Sequence, residues 1–379
     1  MDYLVLTKVH GAILGPISQI LGWILNVLVT FTNSFGVLNI GLSIILFTLV
    51  VKLLMFPMTI KQQKASKLMA VMQPELQAIQ AKYKGKTDND SMMKMNVETK
   101  AVYEKYGTSM TGGCLQLVIQ MPILFALYRV IYCIPAYVMP VKEHFLNVVY
   151  ALTGTSSASA LSEGAAANLL QFATDHNIAL TGINPIGDLT GVTGEALANK
   201  MVDILYKLNP AQWNDLAQAF PNAADVISTN ASTIEKMNTF LGINLASNPF
   251  NGSFVPSLAW LIPILAGLTQ YASTKLMMAT QPKKNNEEDM SSQMMQSMNV
   301  TMPLMSVFFC FTFPAAIGIY WVASSTFQLL QQLVVNSYLD KVDMDELIRK
   351  NVEKANKKRA KKGLPPQKVN QNATASLKH

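Results

Sequence analysis

The sequence predicts an all-α integral membrane protein with five spanning helices, an N-terminal interfacial helix and a helical hairpin in the cytoplasm. Half of the 379 residues are hydrophobic and 14% are charged, a composition typical of membrane proteins rather than soluble domains. Several apolar runs reach the length of about 20 residues that a helix needs to cross a bilayer core about 30 Å thick. Lysine and arginine are distributed unequally among the polar segments, which indicates an orientation.

The first predicted span covers residues 36–58 and contains the apolar run 38–57. Pro57 is expected to end its helix. Lys52 is the only charge inside the run, and a cation there costs on the order of 3 kcal/mol unless it faces protein, water or the interface. Two readings stay open. Lys52 lines a polar site, with Thr48 one turn earlier, or its stem snorkels about 8 Å to the interface.

Four further apolar stretches have spanning length, and they predict the second to fifth spans. They are residues 112–138, within a second-span segment at 111–138, and residues 256–278, 296–314 and 316–337. The last three lie in the segment 256–337, which also contains a short polar link expected in the cytoplasm at 279–295.

The N-terminal segment, residues 1–35, contains an apolar run at 11–32 that is interrupted by Pro16, Ser18, Gln19 and Asn26. Such a run fits either a poor spanning helix or an amphipathic helix lying in the membrane interface. A spanning helix would place the N-terminus in the cytoplasm with only one early cation, Lys8, to hold it there. We therefore expect an interfacial helix on the outer surface.

Residues 59–110 are predicted to form a helical hairpin outside the bilayer. Two apolar stripes recur with helical spacing. They are Leu68, Met72, Leu76, Ile79 and Tyr83, and then Met92, Met95, Thr99, Val102 and Tyr106. Gly107 is expected to cap the second helix, and Pro74 to kink the first. The hairpin methionines either fill its core or offer an adaptable apolar surface to clients.

Charge counting orients the chain. The hairpin segment 58–110 contains nine lysines, and the tail at 338–379 contains eleven lysines and arginines. The long insertion at 139–255 contains four lysines and nine acids. Because positive loops stay in the cytoplasm, we expect the hairpin and the C-terminus inside, and the insertion and the N-terminus outside. The fold of the insertion is not evident from the sequence, although 195–207 and 211–220 have helical character.

The basic part of the tail is open to three readings: a topology signal, a contact for anionic lipid and a contact for ribosomal RNA. Its candidate contact residues are Arg349, Lys350, Lys354, Lys357, Lys358, Arg359, Lys361 and Lys362.

Polar side chains interrupt the later spans. Gln120 in the second span and Gln270 in the third either line a polar groove or make ordinary hydrogen bonds between helices. The fifth span carries a polar face with spacing i, i+3, i+4 and i+7. Its members are Trp321, Ser324, Ser325 and Gln328. Trp321 alone also fits an interfacial anchor.

Four stretches, in order, resemble the YidC/Oxa/Alb family of membrane protein insertases. They are GVLNIGLSIILFTLVVKLLMFPMTIKQQKAS, QPELQAIQAKY, GGCLQLVIQMPILFALY and FPAAIGIYWVASSTFQLLQQ. The resemblance covers residues 11–138 and 256–337, and the insertion shows no match. Lys52 stands where the family usually has arginine, and Ser325 where it often has asparagine. Lysine keeps the charge but loses the planar fork of arginine.

The resemblance implies a five-helix bundle in the bacterial cell membrane around a hydrophilic groove that is open to cytoplasm and lipid. Lys52, Gln120, Gln270 and Trp321 are the groove positions that it carries over. The implied partners are nascent membrane proteins, the ribosome and the lipid bilayer, with the Sec translocon as a further candidate. We expect no enzymatic activity and no cofactor, metal or small-molecule substrate.

The rival reading is a small polytopic transporter or channel. A transporter would usually show an internal repeat with broken helices, and no such repeat is visible. The sequence also lacks HExxH and GxSxG, the motifs that would indicate an intramembrane protease.

Overall fold

A computed structural model of the chain describes residues 11–86, 88–107, 115–178, 189–250, 256–279, 290–361, 363 and 365–366. Within these residues the protein is almost entirely helical, with one two-stranded antiparallel hairpin. The helices are α1 (Leu14–Ser34), α2 (Ile40–Tyr83), α3 (Asn89–Tyr106), α4 (Leu115–Tyr132), α5 (Ile134–Tyr137), α6 (Met139–Thr153), α7 (Ala167–Asp175), α8 (Gly194–Leu205), α9 (Pro210–Ala219), α10 (Ala224–Asn238), α11 (Leu261–Ala279), α12 (Met290–Thr312), α13 (Ala315–Leu339) and α14 (Met344–Ala360). The strands are β1 (Thr239–Phe240) and β2 (Ile243–Asn244).

The chain divides into two compact units. The first comprises Met1–Val50, Met121–Gly267 and Met305–Ala323, and we call it the insertion-containing unit. The second comprises Val51–Gln120, Leu268–Leu304 and Ser324–His379, and we call it the hairpin-containing unit.

The long insertion folds into a small helical domain inside the first unit. Helix α6 packs against α8 and α10, and α10 also packs against α9. Phe145, Met201, Leu216 and Ile227 are buried at the centre of this domain. The two helices predicted in the insertion are confirmed as α8 and α9. The insertion therefore has a hydrophobic core of its own, which its polar composition concealed.

Helix α1 packs one face against α5 and α6. Leu25 and Val29 on that face are buried, and the side-chain oxygen of Asn26 accepts a 2.8 Å hydrogen bond from the backbone N–H of Met139. Trp23 and Phe31 on the opposite side are exposed. A helix that is covered by protein on one side and apolar on the other is suited to contact lipid. It is long and apolar enough to span, so its interfacial placement stays a prediction.

The second unit contains the predicted helical hairpin. Leu68, Met72 and Leu76 of α2 are buried against Val102 and Tyr106 of α3, as the two stripes predict. Gly107 caps α3 in the left-handed conformation with φ 70°. The hairpin methionines include examples of both predicted roles. Met72 is fully buried and fills the core, whereas Met92 and Met93 are exposed on the surface.

Several helix ends differ from the sequence prediction. Helix α2 continues through Pro57 and Pro74, so Pro57 does not end it. Helix α4 stops at Tyr132, and the short α5 follows within the predicted second span. Helix α12 begins at Met290, inside the predicted link.

The predicted tail contains an unforeseen helix, α14, which packs against α3. Helices α11, α12 and α13 lie where the third to fifth spans were predicted.

Candidate functional site

Helix α13 of the hairpin-containing unit buries polar side chains and exposes several large apolar ones. On α13, Leu330, Leu333 and Val334 are about half exposed, whereas Ser325 and Gln332 are only 2% and 4% exposed. Water-soluble helices show the reverse arrangement. Apolar side chains that face outward need lipid around them, and buried polar groups need partners. The polar seams between α13 and its neighbouring helices are therefore the candidate functional site.

Lys52 lies in the first of these seams, between α2 and α13. Its side chain is half-buried, and its main-chain carbonyl accepts a 2.8 Å hydrogen bond from the side-chain amide of Gln331. Pro57 lacks the N–H that would bond the neighbouring carbonyl of Leu53. The bond from Gln331 is made to the carbonyl of Lys52 and not to that of Leu53. Within the described part of the chain, the Lys52 ammonium forms no ion pair.

The α2–α13 seam continues as a ladder of polar contacts. Gln63 donates to the side-chain oxygen of Gln332 over 2.8 Å, and Gln332 donates to Asn336 over 2.7 Å. Lys67 pairs with Asp340 at 3.0 Å. The Gln332 amide is buried and satisfied by two partners, so this part of the seam is a fixed hydrogen-bonded network.

A second seam joins α11 to α13. The hydroxyl oxygens of Thr269 and Ser325 are 2.6 Å apart. Ser325 is buried, whereas its neighbour Ser324 and the next-turn residue Gln328 are half-buried. Gln270 is also half-buried, and its carbonyl accepts a hydrogen bond from the hydroxyl of Thr274. Helix α13 is thus bonded to α2 on one side and to α11 on another.

Two predicted site residues belong to the insertion-containing unit. Thr48 is 1% exposed and its hydroxyl donates to the Ile44 carbonyl of its own helix at 2.7 Å. Trp321 is half-buried and stacks on Phe309 with ring centroids 6.2 Å apart. Gln120 lies in α4, but its side chain falls outside the described residues.

Sequence reasoning missed Gln331 and Gln332. Both continue the polar face of the fifth span, because they lie three and four residues after Gln328. The signal was present, but it falls in a stretch that was read as the apolar end of a span. The structure brings Lys52 and Gln331 together, and likewise Thr269 and Ser325.

The basic residues of α14 form an exposed surface. Its C-terminal half exposes Lys354, Lys357 and Lys358, and Arg349 and Lys350 precede them. Lys361 is also exposed, Arg359 is half-buried and bonded to the carbonyl of Pro365, and Lys362 lies outside the described residues. Lys350 and Lys357 form ion pairs with Glu346 and Glu353 on the same helix.

No three His, Cys, Asp or Glu side chains of the described residues come together in a way that could hold a metal ion. The polar seams contain amides, hydroxyls, the cation of Lys52 and the ion pair between Lys67 and Asp340. Such groups bind and orient polar segments, and they do not form an acid–base or nucleophilic pair.

Long apolar helices with polar seams define the class of the protein: it is a helical membrane protein. The chain belongs to the family described as 60Kd inner membrane protein, whose family model matches residues 30–159 and 216–342.

Curated relatives of the chain cover most of its length. It is 28% identical to the membrane protein insertase YidC of Oceanobacillus iheyensis, over 80% of this chain and 78% of the relative. It is 25% identical to the membrane protein insertase MisCA of Bacillus subtilis, over 82% and 76%. It is 24% identical to membrane protein insertase YidC 2 of Listeria innocua, over 92% and 82%. These names describe insertion and no covalent reaction, in agreement with the prediction that the chain is not an enzyme.

The match also corrects the extent of the resemblance. The family model reaches into the insertion on both sides, to residue 159 and from residue 216, although the motifs gave no match there. Only residues 160–215 within the insertion lie outside it, and these contain α7, α8 and the greater part of α9.

Proposed function

We propose that the protein is a membrane protein insertase that passes nascent membrane proteins into the bilayer through a hydrophilic groove open to cytoplasm and lipid. The observation that carries the proposal is the burial of Ser325 and Gln332 on α13 beside exposed apolar side chains, with Lys52 in the adjoining seam unneutralised by any described acid. Family membership and the names of the relatives support the same function.

Lys52 acts in this proposal as a fixed positive charge. A client must move a short polar segment, often acidic, across a barrier that penalises charge. A wet groove shortens that barrier, and two unit charges about 4 Å apart attract by about 1 to 4 kcal/mol in such surroundings. Gln331 holds the main chain of Lys52, which fixes where the charge lies. No bond has to form or break in the client.

The other predicted positions take supporting roles. Ser324, Gln328 and Gln270 are half-buried and offer hydrogen-bonding groups to a polar segment. Ser325 is bonded to Thr269 and keeps α11 against α13. Thr48 is satisfied within its own helix, so we assign it to packing behind Lys52. Trp321 stacks on Phe309 and presents a rigid aromatic wall. Gln120 stays a groove prediction.

The proposed topology has five spans, α1 on the outer surface, and the hairpin and tail in the cytoplasm. Loop charges support it, since the hairpin carries nine lysines whereas the insertion has a clear excess of acids. The exposed basic surface of α14 faces the same compartment, where it would meet ribosomal RNA or anionic lipid. We keep the Sec translocon as a further candidate partner, on the family resemblance alone.

Reconstitution tests the function directly. The purified protein, in vesicles, should insert a short single-span client so that its tail becomes protected from external protease. Protein-free vesicles provide the baseline. The transporter or channel reading predicts instead that small solutes cross the vesicle membrane while the client tail stays digestible, and that result would contradict insertion.

A further inference from the structure

The insertion-containing unit holds a cavity of about 880 Å³. It lies among α8, α9 and α10, strand β2 and the chain around residues 131–134 and 314–316. Cavities that bind small ligands measure about 300–1,000 Å³, so this one has room for several residues of peptide. Ile40 at the start of α2 and Ala316 at the start of α13 lie in its wall. In the proposed topology it opens on the outer side, where a translocated segment emerges.

The cavity has an apolar floor and a polar rim. Ile134, Ile234 and Leu245 on the floor are buried. The rim residues are exposed and carry amide or hydroxyl groups. They include Asn209, Asn214, Ser228, Ser232 and Asn248. The Asn214 side chain offers a donor and an acceptor, the same pair that a peptide main chain presents. Asn209 keeps its donor and Asn248 its acceptor, because the Asn209 oxygen accepts from the Gln212 N–H and the Asn248 amide donates to the Thr312 carbonyl. Such a rim can hold an extended chain without selecting its side chains, while the floor accepts small apolar groups.

The charges around the cavity are nearly balanced. Asp203 and Lys207 are both half-buried in its wall, and Glu235 is exposed at its edge. Burial lowers the pKa of Lys207, and the nearby Asp203 carboxylate opposes that shift. One cation against two acids gives a weak field. Unlike Lys52, the cavity is not built to attract an acidic segment, but it does not exclude one either.

We infer that this cavity is a binding site for the polar peptide segment that the protein has carried across the membrane, held in extended form by its main chain. The inference rests on the proposed function, because it needs a client whose segment arrives on the outer side. Temporary binding there would oppose backward slipping of the segment while the client's apolar helix enters lipid.

Photo-crosslinking with a stalled single-span client tests the inference in the full-length protein in membranes. A photoreactive phenylalanine in place of Ser232 points into the cavity. The same probe in place of Thr229 is the matched control, since Thr229 is an exposed residue of the same helix that does not line the cavity. We expect crosslinks to the translocated segment at Ser232 at least several-fold above those at Thr229. Equal yields at the two positions would overturn the inference.

A third probe, in place of Gln328 in the proposed groove, separates this inference from the function itself. Crosslinks at Gln328 with none at Ser232 would refute the cavity site and leave the insertase function standing. Absence of crosslinks at both positions, together with failed insertion by the reconstituted protein, would refute the function.

Filling the cavity gives a second readout. Ser232→Trp should lower crosslinking of the segment from a probe at Asn214 of α9, which also lines the cavity, several-fold, whereas Thr229→Trp should leave it unchanged. If crosslinking survives Ser232→Trp in a protein that still inserts clients, the segment does not bind in the cavity.

Discussion

The side chain of Asn351 in α14 donates a 3.0 Å hydrogen bond to the main-chain carbonyl of Tyr106, the last residue of α3. The α-carbon of the capping residue Gly107 is so close to Asn351 that an added Cβ would lie 2.9 Å from its side chain. Ile348 and Val352 lie one helical turn apart on the same face of α14, and both are buried in the hairpin core. The predicted tail is thus, in its first part, a third helix of the hairpin.

Ile348→Ala should loosen the hairpin, because the truncation leaves a cavity among Leu68, Val102 and Tyr106. Substitutions of this kind cost about 2–5 kcal/mol. Hydrogen–deuterium exchange of α3 should become faster in the variant. Lys354→Ala, at an exposed position of the same helix, is the control and should leave exchange unchanged. Equal exchange in the wild type and Ile348→Ala would show that α14 is not part of the hairpin core.

Ribosome binding by α14 has to be tested without unfolding the hairpin. Replacing Lys350, Lys354, Lys357 and Lys358 by glutamine removes four exposed cations and retains Ile348 and Val352. Co-sedimentation with ribosomes at low salt should fall, and its salt dependence should become shallower, because fewer phosphate contacts release counterions. Truncation after Asn336 would also weaken binding, but it removes the packing helix and mixes two effects. Unchanged co-sedimentation of the glutamine variant would exclude these side chains as the ribosome contact.

Substitutions of Lys52 distinguish the contribution of its positive charge to insertion from the contribution of its shape. Lys52→Arg should retain insertion since the charge persists, whereas Lys52→Ala should impair it and Lys52→Glu should impair it most for a client with an acidic tail. The expected difference is modest, because the attraction is only about 1 to 4 kcal/mol. Complementation of an insertase-depleted strain, with membrane levels checked by immunoblot, measures the effect. A client whose tail acids are neutralised is the internal control. Equal growth with Lys52 and Lys52→Ala would mean that the groove works through hydration alone.

The membrane topology predicts opposite labelling of two exposed residues. In a background without the native cysteines, Ser157→Cys in the insertion should react with an impermeant maleimide on intact cells. Asn96→Cys in α3 should react only after the membrane is permeabilised. Both side chains are exposed in the structure, so a lack of labelling reports on the compartment and not on burial. Reaction of Asn96→Cys from outside would invert the proposed orientation.

The hairpin should lose stability at high pH. Burial, and then the hydrogen bond to Glu75, raise the pKa of the Tyr106 phenol well above its ordinary value of 10.0. Because its folded pKa lies above the unfolded one, this contribution is complete below about pH 10 and is lost as the pH rises towards the folded value. Exchange of α3 amides, corrected for the intrinsic pH effect, should therefore accelerate more steeply above pH 10 in the wild type than in Tyr106→Phe. Lys105, which contacts Glu75 at 2.8 Å, is present in both proteins. Identical profiles would contradict this account.

The sequence predicts the hairpin well because its signals are local. The stripe Leu68, Met72 and Leu76 follows helical spacing, and Gly107 supplies a residue free to adopt positive φ. The continuation of α2 through Pro57 was not predictable in this way. Pro57 lies inside α2, and only the three-dimensional arrangement brings Gln331 to the main chain of Lys52.

The candidate site shows the same division between local and long-range information. The residue type and position of Lys52 mark it as exceptional within an apolar run, so sequence alone selects it. The position of Gln332 on the polar face of α13 can be read from the sequence, but its partner Gln63, 269 residues away, cannot. Ile348 and Val352 escaped notice because two apolar residues among many charges resemble an unstructured tail. Their burial needs a surface made by a distant part of the chain.

The contact between Asn351 and Tyr106 spans 245 residues of sequence, and this separation has a consequence for biosynthesis. At about 5–20 residues per second, the ribosome needs roughly 12 to 50 s to make α14 after it has completed α3. During that interval Leu68, Met72 and Val102 lack the cover that Ile348 and Val352 later give them. The newly made protein thus passes through an immature stage in which the hairpin has an open apolar surface. Its maturation is completed by one of the last helices to be translated.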